Sequence, residues 1–141
     1  MEYIFEDDLN QHLEVLRKYI RPIGPKEHPF LTKKGGVREV DFLISEDGQW
    51  VLPSNEKGLS FCTSLKQFRI VKKFKQAIFQ EIDVYAIDDM TPLPPNMRLI
   101  RDKPGHASLV VTQKMPLTDL ISGLTTLVAR AEHIGRIRIK P

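Results

Sequence analysis

Two tight turns, each placed between two β-forming segments, constrain the fold more than any other feature of the sequence. Asp47-Gly48 separates "VDFLI" from "QWVL", and Pro104-Gly105 separates "NMRLIRD" from "HASLVVT". Glycine at these places supplies the positive φ that a tight hairpin turn needs. The sequence therefore predicts two antiparallel hairpins.

The segments around the hairpins predict a few helices and further strands. Apolar residues recur at helical spacing from Leu117 to Ala131, with Pro116 at the first helical position. Ser64 is expected to cap a shorter amphipathic helix, and "GLSFC" before it to form a strand. "EIDVYAI" and the tail "RIRIK" alternate like strands, the tail as an edge strand. We expect an α+β fold with a small antiparallel sheet.

The first 20 residues allow two interpretations. Leu9, Leu13, Leu16 and Ile20 recur at helical spacing, yet "LEVLRKYI" also alternates well enough to be a strand. The following "RPIGPKEHPFLTKKGG" holds three prolines and three glycines and is expected to be an exposed loop.

Length and composition limit the class of protein. The 141 residues are expected to fold as one domain over residues 1–141, and the single cysteine, Cys62, allows no internal disulfide. No apolar run reaches membrane-spanning length, and the acidic start "MEYIFEDDLNQH" is unlike a secretory signal. We expect action in the cytosol and no membrane partner; export, if it occurs, would use a route that needs no such signal.

The basic residues form two clusters, "RIVKKFKQ" and the tail "RIRIK". The first cluster is expected to be the solvated face of a helix. No aromatic residues are interleaved in the way that base stacking needs, and the net charge of +3 favours anionic partners only weakly. Nucleic acid is therefore a secondary expectation.

No strong chemical motif is present in the sequence. It lacks a phosphate-binding glycine loop, the His/Cys spacing of a metal site and the nucleophile elbow of a hydrolase, and we expect no metal. Cys62 is expected to be a buried side chain, and His12, His28 and His133 to lie on the surface. His106 opens a strand and shares its face with Ser108, which fits either a polar site or a hydrogen-bonded turn histidine.

The order of these features resembles a known toxin family. "DGQWVLP", "KGLSFCTS" and "YAIDDMTPLPPNMRLIRDKPGHASLVVTQKMPLTDLISGLTTL" are similar to a family typified by an exported effector of bacterial type VI secretion, which has an ADP-ribosyltransferase-like fold. The resemblance covers about residues 40–130. It implies a split antiparallel sheet and NAD as a substrate.

The resemblance also implies particular site residues. Ser60 and Phe61 fall on the family's serine-aromatic pair, which would bind the nicotinamide end of NAD; His106 and Ser108 fall on a catalytic histidine and hydroxyl. Arg17 is the best match to an early-strand arginine that binds the pyrophosphate, provided that its segment is a strand. Where many members have an aromatic after the histidine, this chain has Ala107. No glutamate aligns with the catalytic glutamate of better-known ADP-ribosyltransferases.

The resemblance implies a toxin that acts inside cells as an NAD-dependent ADP-ribosyltransferase on a macromolecular acceptor. A cognate immunity protein or antitoxin would neutralise it in the producing cell. The alternative is a non-enzymatic α+β binding module that docks its basic helix and tail on nucleic acid or an acidic protein.

Overall fold

The structure is a computed structural model and describes residues 2–139. These residues form two α-helices and nine strands: β1 (Tyr19–Ile23), β2 (Leu43–Ile44), β3 (Trp50–Leu52), β4 (Leu59–Cys62), α1 (Leu65–Gln76), β5 (Glu81–Ile87), β6 (Met97–Lys103), β7 (His106–Val111), β8 (Met115–Pro116), α2 (Leu117–Arg130) and β9 (Glu132–Arg138). Short helical turns, Glu6–Asp8 and Gln11–Val15, precede β1. The predicted α+β class is confirmed.

The main sheet has six strands in the order β6-β7-β4-β1-β5-β9, and every neighbouring pair is antiparallel. β1 pairs with β5 along its whole length, but it pairs with β4 only at Ile20 and Cys62. The sheet therefore divides between β1 and β4, as predicted for a split antiparallel sheet. A smaller sheet has the order β2-β3-β8.

The two faces of the main sheet bury separate apolar cores. One core joins β4 and β7 to α2, with Leu59, Phe61, Leu109, Leu120 and Leu124 among its buried members. The other core joins the sheet to α1 and the N-terminal turns, and is made of Leu9, Leu13, Ile20, Cys62, Phe68 and neighbouring residues. β1 and β4 each place residues in both cores, which fixes the two strands from two sides.

Both predicted hairpins and both predicted helices are present. Gly48 and Gly105 have φ of 72° and 76°, as their turns require. The Ser64 hydroxyl accepts a 3.1 Å hydrogen bond from the Gln67 backbone N–H, which caps α1 as expected. Pro116, however, is the N-cap residue of α2 rather than its first helical residue.

The N-terminal region combines the two interpretations that the sequence allowed. Helical turns reach Val15, and β1 then begins at Tyr19. Arg17 lies between them with φ of 53°, in the left-handed region and not on a strand, so the condition on its match to the early-strand arginine is not met. The loop was predicted to begin at Arg21, which is too early, because Arg21 and Pro22 belong to β1. Proline cannot donate a ladder hydrogen bond, and it is tolerated here where β1 leaves β4.

The remaining expectations concern charged segments. β9 is an edge strand of the main sheet, as predicted for the tail, although Tyr3 adds one parallel bridge to Arg136; Lys140 lies outside the described residues. On α1, Arg69 and Lys72 both bind Glu6, so the basic cluster is only partly a solvated face. None of the helices in residues 2–139 is long and apolar enough to cross a membrane.

Candidate functional site

A cavity of about 560 Å³ opens where β1 and β4 separate. Residues of β1, β4, the start of β7, α1 and the loop between β1 and β2 form its walls, among them Arg21, Ser60, Phe61, Cys62 and His106. The volume is in the range of small-molecule sites. The split of the sheet thus brings the predicted Ser60 and His106 to one cavity, whereas Arg17 is not among its lining residues.

Arg21 is the early-strand arginine that lines the cavity. Its Nη1 donates a 2.9 Å hydrogen bond to the Ser60 carbonyl oxygen, and its Nε donates to the Pro29 carbonyl oxygen. In the part of the chain that the structure describes, no carboxylate forms a salt bridge with it. Burial lowers the pKa of Arg21 to about 10, an effect that Asp41 partly offsets, so the guanidinium remains charged at neutral pH. An anion in the cavity would meet a cation that has only carbonyl partners.

The two carboxylates among the lining residues are already paired with other cations. Arg38 binds Asp41 through two hydrogen bonds of 2.9 and 3.1 Å, and the Lys75 ammonium lies 3.7 Å from Glu27. Positive charge is therefore left at Arg21, which favours a ligand that carries negative charge.

Ser60 and Phe61 point to opposite faces of β4, as neighbours on a strand do. Ser60 is exposed, and its hydroxyl has no hydrogen-bond partner among residues 2–139. Phe61 is only 2% exposed and packs in the core against Phe30, with the ring centroids 6.2 Å apart. The expectation that Phe61 covers a ligand ring is therefore not supported by its burial, since its ring is occupied by core contacts.

His106 stands opposite Cys62 in the register of β4 and β7. Its side chain is 12% exposed, and its Nδ1 lies 2.7 Å from Oδ1 of Asp102. Nε2 has no hydrogen-bond partner within residues 2–139, yet no buried side-chain nitrogen or oxygen there lacks one. Nε2 must therefore retain access to solvent, and His106 is among the residues that line the cavity.

Ser108 has a different position from the one expected of a group that touches a ligand. It is 8% exposed and is not among the residues that line the cavity. Its hydroxyl donates a 2.8 Å hydrogen bond to Oδ2 of Asp102. Burial would raise the pKa of Asp102, but hydrogen bonds from His106 and Ser108 outweigh it and lower that pKa. The carboxylate is thus ionised and shared by two side chains of β7.

Two other residues that line the cavity, Cys62 and His28, are not candidates for a catalytic role. Burial raises the pKa of Cys62 to about 12, so the thiol is protonated and the expectation of a buried side chain is confirmed. His28 was expected on the surface, but it is half-buried and lines the cavity; its Nδ1 accepts hydrogen bonds of 3.0 and 2.9 Å from the backbone N–H groups of Phe30 and Leu31. Residues 2–139 contain no group of three or more His, Cys, Asp or Glu side chains able to hold a metal ion.

Sequence reasoning missed Arg21 and Asp102. Arg21 stands between Ile20 and Pro22, and the prolines that follow it predicted a loop. Asp102 ends a strand next to a turn, where a solvated aspartate is common. A signal was available for Arg21, because the β-forming residues Tyr19, Ile20 and Ile23 flank it on both sides.

The family model described as Tse2 ADP-ribosyltransferase toxin matches residues 10–134. The chain belongs to the Tse2 ADP-ribosyltransferase toxin family. The resemblance seen in the sequence is confirmed and extends beyond the expected 40–130, so that the family match now includes Arg21. Membership in the Tse2 family supports a toxin with ADP-ribosyltransferase activity. No curated protein and no solved structure matches the chain significantly.

Proposed function

We propose that this Tse2-family protein is a toxin that acts inside cells by transferring ADP-ribose from NAD to a macromolecule. The observation that carries the proposal is the cavity at the split between β1 and β4, which Arg21, Ser60 and His106 all line. A family of ADP-ribosyltransferase toxins and a cavity with an uncompensated cation together favour a dinucleotide as the ligand.

Arg21 is the proposed partner of the NAD pyrophosphate. Its guanidinium is half-buried and charged, and carbonyl oxygens hold it in place by Nε and Nη1. A planar guanidinium can bind phosphate oxygens through two parallel hydrogen bonds, and burial strengthens that attraction. Arg21 takes the role that the sequence had assigned to Arg17.

Ser60 is proposed to bind the nicotinamide ribose or the carboxamide. Its hydroxyl is exposed at the cavity and has no partner among the described residues, so it can both donate and accept there. A neutral hydroxyl adds no charge near the sugar, where positive charge develops as the nicotinamide–ribose bond breaks. Phe61 supports this strand from the core rather than stacking on the ligand.

His106 is the proposed catalytic residue, since Nε2 is its only ring nitrogen free to meet a reacting group. Ser108 contributes through Asp102 and does not contact the ligand. Catalysis at such a site depends mainly on positioning and on fixed charges. A toxin of this kind requires a cognate immunity protein or antitoxin in the producing cell, which we propose as its partner.

Induced expression in a bacterial cytosol tests the function. We expect growth arrest with wild type, accompanied by release of nicotinamide, and normal growth when the neighbouring gene is expressed with it. Arg21→Gln should remove both the arrest and the nicotinamide release. Growth arrest without any nicotinamide release or loss of NAD would contradict the proposed chemistry.

A further inference from the structure

Asp102 holds two side chains of the neighbouring strand with its two carboxylate oxygens. Oδ1 lies 2.7 Å from His106 Nδ1, and Oδ2 accepts a 2.8 Å hydrogen bond from the Ser108 hydroxyl. His106 and Ser108 are two positions apart on β7 and therefore share a face. A register shift in β6 between Ile100 and Lys103 brings Asp102 into this position.

We propose that Asp102 is a positioning residue that holds His106 with Nε2 directed to the cavity as the proton acceptor for the nucleophile that receives ADP-ribose. This inference rests on the proposed function and adds to it which side chain acts as the base and which residue orients that side chain. The lack of a glutamate at the expected place then has a chemical explanation, because an imidazole backed by a carboxylate replaces it.

The tautomer follows from the hydrogen bond. An ionised carboxylate can only accept, so the Nδ1 atom at 2.7 Å must carry a proton. In a neutral imidazole the lone pair is then on Nε2, the nitrogen that does not face Asp102. Ser108 fixes the other oxygen, which prevents the carboxylate from turning away.

The proposed step balances without any further reactant. The bond between the ribose C1′ and the nicotinamide nitrogen breaks, and its electron pair leaves with neutral nicotinamide. A bond forms between C1′ and an oxygen or nitrogen of the acceptor. The proton of that acceptor atom passes to Nε2 of His106 and then to water. The acceptor is thus a nucleophile that carries a proton at the attacking atom, such as a hydroxyl group.

Other groups near His106 do not supply a competing negative charge. Cys62, opposite on β4, is a protonated thiol, and Lys103 is the register partner of His106 on β6. Across the cavity, Arg21 on β1 and Lys75 on α1 are cations. Glu27 and Asp41 in the loop are paired with Lys75 and Arg38. Among these residues, Asp102 is therefore the carboxylate that orients the imidazole.

Asp102→Asn tests the inference, with Asp89→Asn as the matched control. Asp89 also accepts a hydrogen bond, of 2.6 Å from the Tyr19 hydroxyl, but it does not line the cavity. We expect Asp102→Asn to lower kcat by about 10- to 100-fold with KM for NAD unchanged. Asp89→Asn should leave kcat and KM for NAD as in wild type.

Nitrogen-15 NMR of the imidazole gives a readout that needs no turnover of NAD. Wild type should show the Nδ1–H tautomer, and Asp102→Asn should lose the downfield Nδ1 proton. If Asp102→Asn does not fold, Ser108→Ala replaces it; we expect it to keep the tautomer and lower kcat by about threefold. An Nε2–H tautomer in wild type, or a folded Asp102→Asn enzyme with wild-type kcat, would overturn the inference. The Nδ1–H tautomer in a protein that does not consume NAD would support the positioning and overturn the proposed function.

Discussion

Arg21 on β1 donates a 2.9 Å hydrogen bond from Nη1 to the Ser60 carbonyl oxygen on β4, across the point where the two strands separate. The main-chain register pairs these strands only at Ile20 and Cys62. The guanidinium therefore joins the two halves of the sheet and also faces the cavity between them. This contact links the architecture to the proposed NAD site.

Arg21→Lys should weaken NAD binding while keeping a positive charge at the site. A lysine cannot reproduce the planar fork that would bind phosphate, so the dissociation constant should rise by roughly 10- to 100-fold. Calorimetric titration of the purified protein with NAD measures it. Arg17→Gln is the matched control, because Arg17 lies outside β1 and does not line the cavity. Equal losses in the two variants would argue against a pyrophosphate site at Arg21.

Ser60→Ala should reduce toxicity sharply while leaving the thermal midpoint nearly unchanged. The hydroxyl is exposed and has no partner within residues 2–139, so its removal costs little stability. The loss of one transition-state hydrogen bond should cost about 2–4 kcal/mol, or roughly a hundredfold in rate. Paired measurements of melting and of nicotinamide release check this. A variant with wild-type activity would remove Ser60 from the site.

Much of the fold was accessible from local sequence chemistry. Gly48 and Gly105 have the positive φ that their turns require, and Ser64 caps α1 through its own hydroxyl. Such features depend on a few neighbouring residues. The position of β1 was not accessible in the same way, because Pro22 is tolerated only where the strand leaves β4, and that depends on contacts distant in sequence.

The site was accessible only in part, for a similar reason. Ser60 stands out in the sequence because it lies in an uncharged strand segment with several hydroxyl side chains. His106 stands out because it is the first residue of a predicted strand. Asp102 acquires its role from a register shift between β6 and β7, which no periodicity predicts. The burial of Phe61 likewise follows from which face of β4 meets α2.

Acidification from about pH 7.5 to about pH 5 should lower the free energy of unfolding through His28. Burial lowers the pKa of His28, so the unfolded chain binds the proton more readily and stability falls as the pH falls through the unfolded value near 6.5. Protonation would also displace the Phe30 and Leu31 N–H donors from Nδ1.

His28→Asn keeps a side-chain acceptor and removes the titration, so urea unfolding should show a weaker pH dependence in this variant. His12 also has a lowered pKa, from burial and from Lys18, and it contributes in the same direction in both proteins. The difference between wild type and variant isolates His28. Identical pH dependence in the two would contradict the role of His28 in holding the loop.

The double variant Lys66→Gln with Lys73→Gln should keep wild-type toxicity. Its free energy of unfolding should differ from wild type by no more than about 0.5 kcal/mol. Both lysines are exposed on α1 and form no salt bridge among the described residues, unlike Arg69 and Lys72, which bind Glu6. Growth assays and thermal melts measure the effect. Loss of toxicity in a folded double variant, with nucleic-acid binding that depends steeply on salt, would favour the alternative of a binding module.

The most direct test of the account is transfer of labelled ADP-ribose from NAD into cell lysate, with wild type beside His106→Ala. His106 lines the cavity and has Nε2 free to meet the reacting groups. We expect label in a macromolecular fraction with wild type and a loss of about a hundredfold or more in the variant. Protease and nuclease digestion of the product would class the acceptor. Folded wild-type protein that neither transfers label nor depletes NAD would contradict the central claim.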